Sequence, residues 1–216
     1  MKRQTELVLV IDTSGSMIAC QQEAEEGINR LLHDQRAGDD PVLVTLVEFG
    51  SDVRTKFVRE PLEGVGQYVM SIEGLTALHD AVGSTIDVVG ERLAALAPDE
   101  RPDLVIVVVV TDGEENFSRR YSRSQVLEAV ERQQRDYSWQ FVYLGATPET
   151  FADAASIGIS PLRTSQYDVH SSNSAYSGVS QMVSRLRTSS DGLRGGVALQ
   201  SVTFTDDERT EMAGTT

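Results

Sequence analysis

The sequence predicts a doubly wound α/β domain with a mainly parallel sheet and helices on both faces. Leu7-Val8-Leu9-Val10-Ile11 and Leu104 to Val110 are unbroken apolar runs rich in β-branched residues, as strands buried on both faces are. Stretches of helical periodicity separate these and the weaker strand candidates, which is the spacing of βαβ units. Both apolar runs lead into an acidic residue, Asp12 and Asp112. The carboxyl edge of such a sheet is where ligands bind.

The elements follow in order. Met17 to Gln35 carries Met17, Cys20, Ala24, Ile28, Leu31 and Leu32 on one helical stripe, with Glu23, Glu25 and Glu26 off it. The pattern starts the helix at the Asp12 motif, with its first amides facing that motif. Ala37 to Pro41 is a turn cluster, Val42 to Phe49 a strand, and Gly50-Ser51 a tight reversal. Asp52 to Glu60 alternates Val53, Thr55 and Phe57 with Asp52, Arg54 and Lys56, as an antiparallel edge strand does. Pro61 to Gly74 reads as a loop with a short helical stretch around Tyr68, Val69 and Ile72. A helix from Ala77 lines up Leu78, Val82, Ile86, Val89 and Leu93, and the proline-rich Ala97 to Pro102 ends it. Ser122-x-x-Gln125 has capping-box spacing ahead of Val126, Leu127 and Val130. Phe141 to Leu144 is a further strand, Thr147-Pro148-Glu149 a helix start and Gly158 a stop. A last strand falls within Ile159 to Tyr167, and a closing helix uses Tyr176, Val179, Met182, Val183 and Leu186.

Composition shifts after residue 187, so the expected division is a domain over 1–187 and a linker and tail over 188–216. Thr188 to Gly192 and Gly195-Gly196 have linker composition. Val197, Leu199, Val202 and Phe204 are apolar enough to dock the tail, the alternative being a flexible arm.

Asp12-Thr13-Ser14-Gly15-Ser16 places one carboxylate and two hydroxyls behind a buried strand, oxygen donors that suit a hard divalent cation. This Asp-x-Ser-x-Ser run resembles the metal-ion-dependent adhesion site (MIDAS) of von Willebrand factor type A (vWA) domains. That family's pattern also needs a threonine in a later loop and an aspartate after a second central strand. Thr76, in Gly74-Leu75-Thr76-Ala77, and Asp112, in Thr111-Asp112-Gly113, fit these positions. The resemblance covers roughly Glu6 to Leu186 and is to the single-domain bacterial and phage type. It implies a Rossmann-like vWA fold of six strands with the third antiparallel at an edge. It also implies a metal site of Asp12, Ser14, Ser16, Thr76 and Asp112, with the carboxylates acting directly or through water. Magnesium is the expected ion, with manganese or calcium as alternatives. Neutral hydroxyls leave such an ion electrophilic, so its open position favours an Asp or Glu from a partner protein. Asp80 is expected to orient the loop near Thr76. Glu114, Glu115 and Asn116 read as solvated loop residues or as tuners of the rim, and His79 as a packing or surface residue.

The formal charge of −14 argues against a nucleic-acid or anionic-membrane binder, because both need a basic face. Cys20 is the only cysteine, which excludes an intramolecular disulfide and marks it as a small core residue. No apolar run is long enough to span a membrane, and Met1 to Ile11 does not form a signal-peptide core, so a cytoplasmic location is expected. The alternative settings are a phage particle or the extracellular space. Seventeen arginines against two lysines fit a GC-rich genome.

The sequence fits a catalytic reading poorly. A strand-end aspartate also serves magnesium-dependent phosphate-ester hydrolases of the haloacid dehalogenase type, but these need a second aspartate two residues on, where this chain has Ser14. There is no Gly-x-Ser-x-Gly elbow and no Walker A loop. The expected function is a metal-dependent protein-binding module in an intracellular bacterial or phage complex, such as one beside an AAA+ ATPase, with a virion or extracellular adhesin or a magnesium-dependent phosphate-ester hydrolase as alternatives.

Overall fold

The computed structural model describes residues 3–167, 172–189 and 201–212. Six strands form one sheet: β1 (Thr5–Asp12), β2 (Val42–Phe49), β3 (Val53–Pro61), β4 (Leu104–Thr111), β5 (Gln140–Gly145) and β6 (Thr164–Gln166). Their order is β3-β2-β1-β4-β5-β6. All neighbours are parallel except β3, which runs antiparallel to β2 at the edge. This is the Rossmann-like, mainly parallel sheet that the resemblance implies.

Every residue of β1 and β4 is buried, as their apolar sequences require. Side chains alternate across β1, so Leu7, Leu9 and Ile11 enter one core and Val8 and Val10 the other. The first core is covered by α1 (Gln21–Asp34) and, at the end of the domain, by Val179, Met182 and Val183 of a closing helix. The second core is covered by α2 (Leu78–Ala94), α3 (Arg123–Tyr137) and α4 (Thr150–Ser156). The closing helix is α5 (Ser172–Ser189). Connections leave β1 toward β2 and β4 toward β5, so the crevice between the carboxyl ends of β1 and β4 is the topological switch point.

Two local readings change. The helix after β1 is not continuous from Met17. A 3-10 turn spans Gly15–Ala19, Cys20 breaks it at φ −130°, and α1 begins at Gln21. Residues two apart on an α-helix point about 200° away from each other. Holding Ser14 extended and Ser16 in the tighter turn instead brings their hydroxyls together. The Tyr68 segment is not helical either. Its backbone lies along α1, where Asn29 Oδ1 accepts from Tyr68 N (2.8 Å) and Asn29 Nδ2 donates to Tyr68 O (2.9 Å). Glu25 Oε1 accepts from Met70 N at 3.1 Å. Side chains of α1 thus satisfy groups that a helix would have paired internally.

The capping box forms, with Ser122 accepting from Gln125 N and Gln125 accepting from Ser122 N. Thr188 and Ser189 continue α5, while 190–196, Val197 and Leu199 lie outside the described residues. Val202 and Phe204 are buried, and α6 (Asp206–Met212) packs Met212 onto Gly178 of α5. Three arginines hold this segment. Arg163 Nε donates to Val202 O, Arg185 grips the Glu208 carboxylate with both terminal nitrogens, and Arg209 donates to Thr164 O. Among the described residues no helix is long and apolar enough to cross a membrane.

Candidate metal centre

Asp12 ends β1 and is fully buried. Its Oδ1 accepts from Ser14 N (2.7 Å) and its Oδ2 from Thr111 Oγ1 (2.6 Å). Thr111 is the last residue of β4, set level with Asp12 by the parallel register that pairs Ile11 with Val110. Its hydroxyl therefore fixes the rotation of the Asp12 carboxylate. Nothing in the sequence marks Thr111 for this role, because a threonine at a strand end has no distinguishing spacing.

The other expected residues converge on the same edge. Ser14 Oγ and Ser16 Oγ are 3.1 Å apart, and Ser16 Oγ donates to Asp112 Oδ1 at 2.8 Å. Thr76 is buried. A side chain on Gly113 would stand 3.4 Å from Thr76 Oγ1 and 3.7 Å from Ser16 Oγ, so these two hydroxyls flank the glycine after Asp112. The chain Asp12–Ser14–Ser16–Asp112, with Thr76 alongside, brings all five predicted positions into one cluster.

The loops that carry the hydroxyls are tied down by backbone bonds. Gly15 N donates to Gly74 O (3.0 Å) and Glu73 N to Thr13 O (2.7 Å), joining the Ser14–Ser16 turn to the Thr76 loop. Gly74 sits at φ +80°, where a side chain is strained, and its Cβ would lie 2.8 Å from Ser51 N. On the other side, Thr76 N donates to Asn116 Oδ1, and Asn116 N and Phe117 N donate to Thr76 O. Glu115 accepts from Phe117 N, Ser118 N, Ser118 Oγ and His79 N. Asp80 accepts from Arg119 N, Arg120 N and Tyr121 N at 2.8–2.9 Å.

Asp80 therefore orients the loop after β4, where the expectation placed its role on the loop near Thr76. Glu115 is half-buried and, with the exposed Asn116, whose side chain accepts from Thr76 N, forms the clasp between that loop and the start of α2. Glu114 is exposed, and His79 is half-buried with Nδ1 3.7 Å from Glu115. Local sequence pairs Glu115 with nothing. The signal that finds it is the Glu115-x-x-Ser118 spacing, which forms a turn of its own.

Burial pushes the Asp12 carboxyl up to about 6 against the bonds from Thr111 and Ser14, with the Asp112 charge adding to the rise. Burial also raises Asp112, and the Ser16 hydroxyl opposes it. Burial alone would raise Asp80 and Glu115 too, but their several donors outweigh it and hold both below the usual range. Among the described residues no lysine, arginine or histidine pairs with Asp12 or Asp112. Nor is there a group of three or more His, Cys, Asp or Glu, so the donor set is two carboxylates and three hydroxyls. Such an all-oxygen set of low charge fits a hard, partly hydrated divalent ion and offers neither a nucleophile–base pair nor a zinc-type cage.

Comparison with known proteins adds the family. The sequence profile of the von Willebrand factor type A domain matches residues 7–115, half of the chain, from β1 to the Glu115 clasp. A comparison with curated protein sequences returns no significant match. The fold is similar to that of proximal thread matrix protein 1 from the mussel byssus, solved with a zinc-occupied MIDAS motif. That likeness has 17% identity and a TM-score of 0.60 over 84% of this chain and 46% of that one. This chain thus spans about half the length of the mussel protein. It is also similar to the manganese-loaded TRAP protein of Plasmodium vivax, at 17% identity and TM-score 0.57, covering 81% of this chain and 72% of that one. For BatB of Bacteroides thetaiotaomicron the figures are 20% identity and TM-score 0.51, over 84% and 98%. The strand order, the antiparallel β3 and the profile that starts in β1 agree: the chain belongs to the von Willebrand factor type A domain family.

Proposed function

We propose that the chain is a metal-dependent protein-binding module whose MIDAS is formed by Asp12, Ser14, Ser16, Thr76 and Asp112. The observation that carries this reading is the convergence of five oxygen-bearing side chains from three loops on the switch point, with no basic residue among the described residues paired to either carboxylate. A bound divalent cation would relieve the buried Asp12 and the half-buried Asp112 and offer a Lewis-acidic position to a partner's Asp or Glu. The family is one of metal-dependent interaction and adhesion, and two of the similar structures carry zinc or manganese.

Magnesium is the ion we assign, because few protein charges and several retained waters suit it best, with manganese next. Within this reading Thr111 holds Asp12 in place, and the Glu115 and Asp80 clasps hold Thr76. The partner is a protein that presents an acidic side chain, in an intracellular bacterial or phage complex.

Calorimetric titration of magnesium and manganese into chelator-stripped protein tests the metal. Saturable binding that disappears in Asp112→Ala supports the site, and binding unaffected by Asp112→Ala refutes it. Capture of a cellular protein in magnesium but not in chelator, again lost in Asp112→Ala, tests the binding function.

A further inference from the structure

Eight large apolar side chains are exposed among the described residues. Five of them, Val58, Val69, Val88, Tyr137 and Leu162, lie on five separate segments, and singly scattered apolar residues are ordinary. The other three border the candidate metal centre. Ile18, 70% exposed, follows Ser16 by two residues, and Leu75, 49% exposed, directly precedes Thr76. The bond from Gly15 N to Gly74 O joins their two loops. Phe151 stands on a third side. Gly145 pairs with Thr111 at the end of β4, Thr150 packs so closely on Gly145 that a side chain there would meet it at 2.5 Å, and Phe151 comes next.

Core packing does not explain these residues. Ile18 lies between the buried Met17 and Cys20 yet is itself in solvent, and Leu75 is exposed beside the buried Thr76 and Ala77. The α4 side of the rim is acidic. Burial raises the Asp153 carboxyl, and the Glu114 and Glu149 charges add to the rise. Among the described residues none of these three acids is in an ion pair. A run of acids arriving on that side would meet like charge.

We propose that the partner segment carries a single acidic residue for the metal with large apolar side chains beside it, which pack on Ile18, Leu75 and Phe151. This rests on the adhesion reading above and adds to it the chemistry that surrounds the partner's acid. Any exposed carboxylate could reach an open metal position. Only one with apolar neighbours also removes the rim from water, so the rim sets which acids are accepted.

A displayed library of random heptapeptides, bound to the immobilised full chain in magnesium and released with chelator, tests this. Recovered sequences are expected to hold one Asp or Glu, with Leu, Ile, Met, Phe or Trp beside it enriched over the starting library. Ile18→Ser combined with Leu75→Ser changes only exposed side chains, so the circular-dichroism spectrum and the magnesium affinity in calorimetry should be retained. The same double variant is expected to weaken a recovered peptide at least about tenfold. Recovered acids in runs or without apolar neighbours, or unchanged peptide affinity in the double variant, overturn the proposal and leave acid binding at the metal standing. Recovery of no chelator-released peptide overturns both.

Discussion

Thr111→Val removes one hydroxyl from the floor of the candidate metal centre and keeps the side chain's shape. Thr111 Oγ1 lies 2.6 Å from Asp12 Oδ2, and both residues are buried, so water cannot take its place. A hydrogen bond to a charged group contributes about 1.5–3 kcal/mol, and here the buried setting favours the upper end. The same oxygen also accepts from Gly113 N at 3.2 Å, a half-buried amide that the valine would strand. Together these give a loss of about 2–4 kcal/mol in metal-free protein, read from urea unfolding in chelator. Because an outer partner orients a metal ligand, affinity for magnesium should fall by about 10–100-fold in calorimetry. Thr111→Ser restores the hydroxyl and should recover most of both losses. If Thr111→Val unfolds within about 0.5 kcal/mol of the parent and binds metal within about twofold, Thr111 does not hold Asp12 and the account of the site is wrong.

Three further outcomes follow from the loops and the tail. Asp80 is held below the usual carboxylate range, so its folded-state stabilisation is fully present above the ordinary carboxylate pKa and is lost as pH falls through the lowered value. Asp80→Asn should therefore cost about 1–3 kcal/mol at pH 7 and flatten the acid limb of a stability–pH profile; a parallel limb would show that Asp80 does not contribute to it. Gly74→Ala forces a side chain into φ +80° and toward Ser51 N, and should destabilise by about 1–3 kcal/mol while weakening metal binding through Thr76, two residues on. Equal metal affinity in a folded Gly74→Ala protein would uncouple that loop from the site. Glu208→Ala breaks the two-pronged bond to Arg185 and should expose the 201–212 segment to limited proteolysis ahead of the rest, with metal titration unaltered.

The sheet was legible because its two central strands carry unbroken apolar runs, Leu7 to Ile11 and Leu104 to Val110, and only burial on both faces explains such runs in a globular chain. The edge strand was legible from its polar alternation. Five site positions could be picked out because hydroxyls and acids at strand ends and in one loop matched a spaced pattern. The misread segments share a cause: each is held by at least one hydrogen bond to a partner far away in sequence. Tyr68 looks helical by periodicity, yet Asn29 and Glu25 pair its neighbourhood with α1. Met17 fits the helical stripe, yet Gly15 donates to Gly74 and the turn tightens. Glu115 looks solvated, yet it caps a turn of its own and the first turn of α2 at once. Periodicity reads which face is buried; it does not read which partner satisfies a backbone group.

The same division of labour explains how the site is made. Its two carboxylates come from β1 and from the residue after β4, where parallel register fixes their separation to within a strand pair. Its hydroxyls come from loops, which on their own would wander. Each loop is therefore bound at both flanks, the Ser14–Ser16 turn to Gly74 and the Thr76 loop to Asn116 and Glu115. In the proposed function the strands supply the charge that retains a cation, and the clasped loops supply neutral oxygens that leave it short of negative partners. A site built the other way, with carboxylates on every loop, would saturate the ion's charge and leave little pull on a partner's acid. In the proposed function the small count of acids leaves that pull on an external carboxylate, and the clasps keep the neutral oxygens in place around the ion.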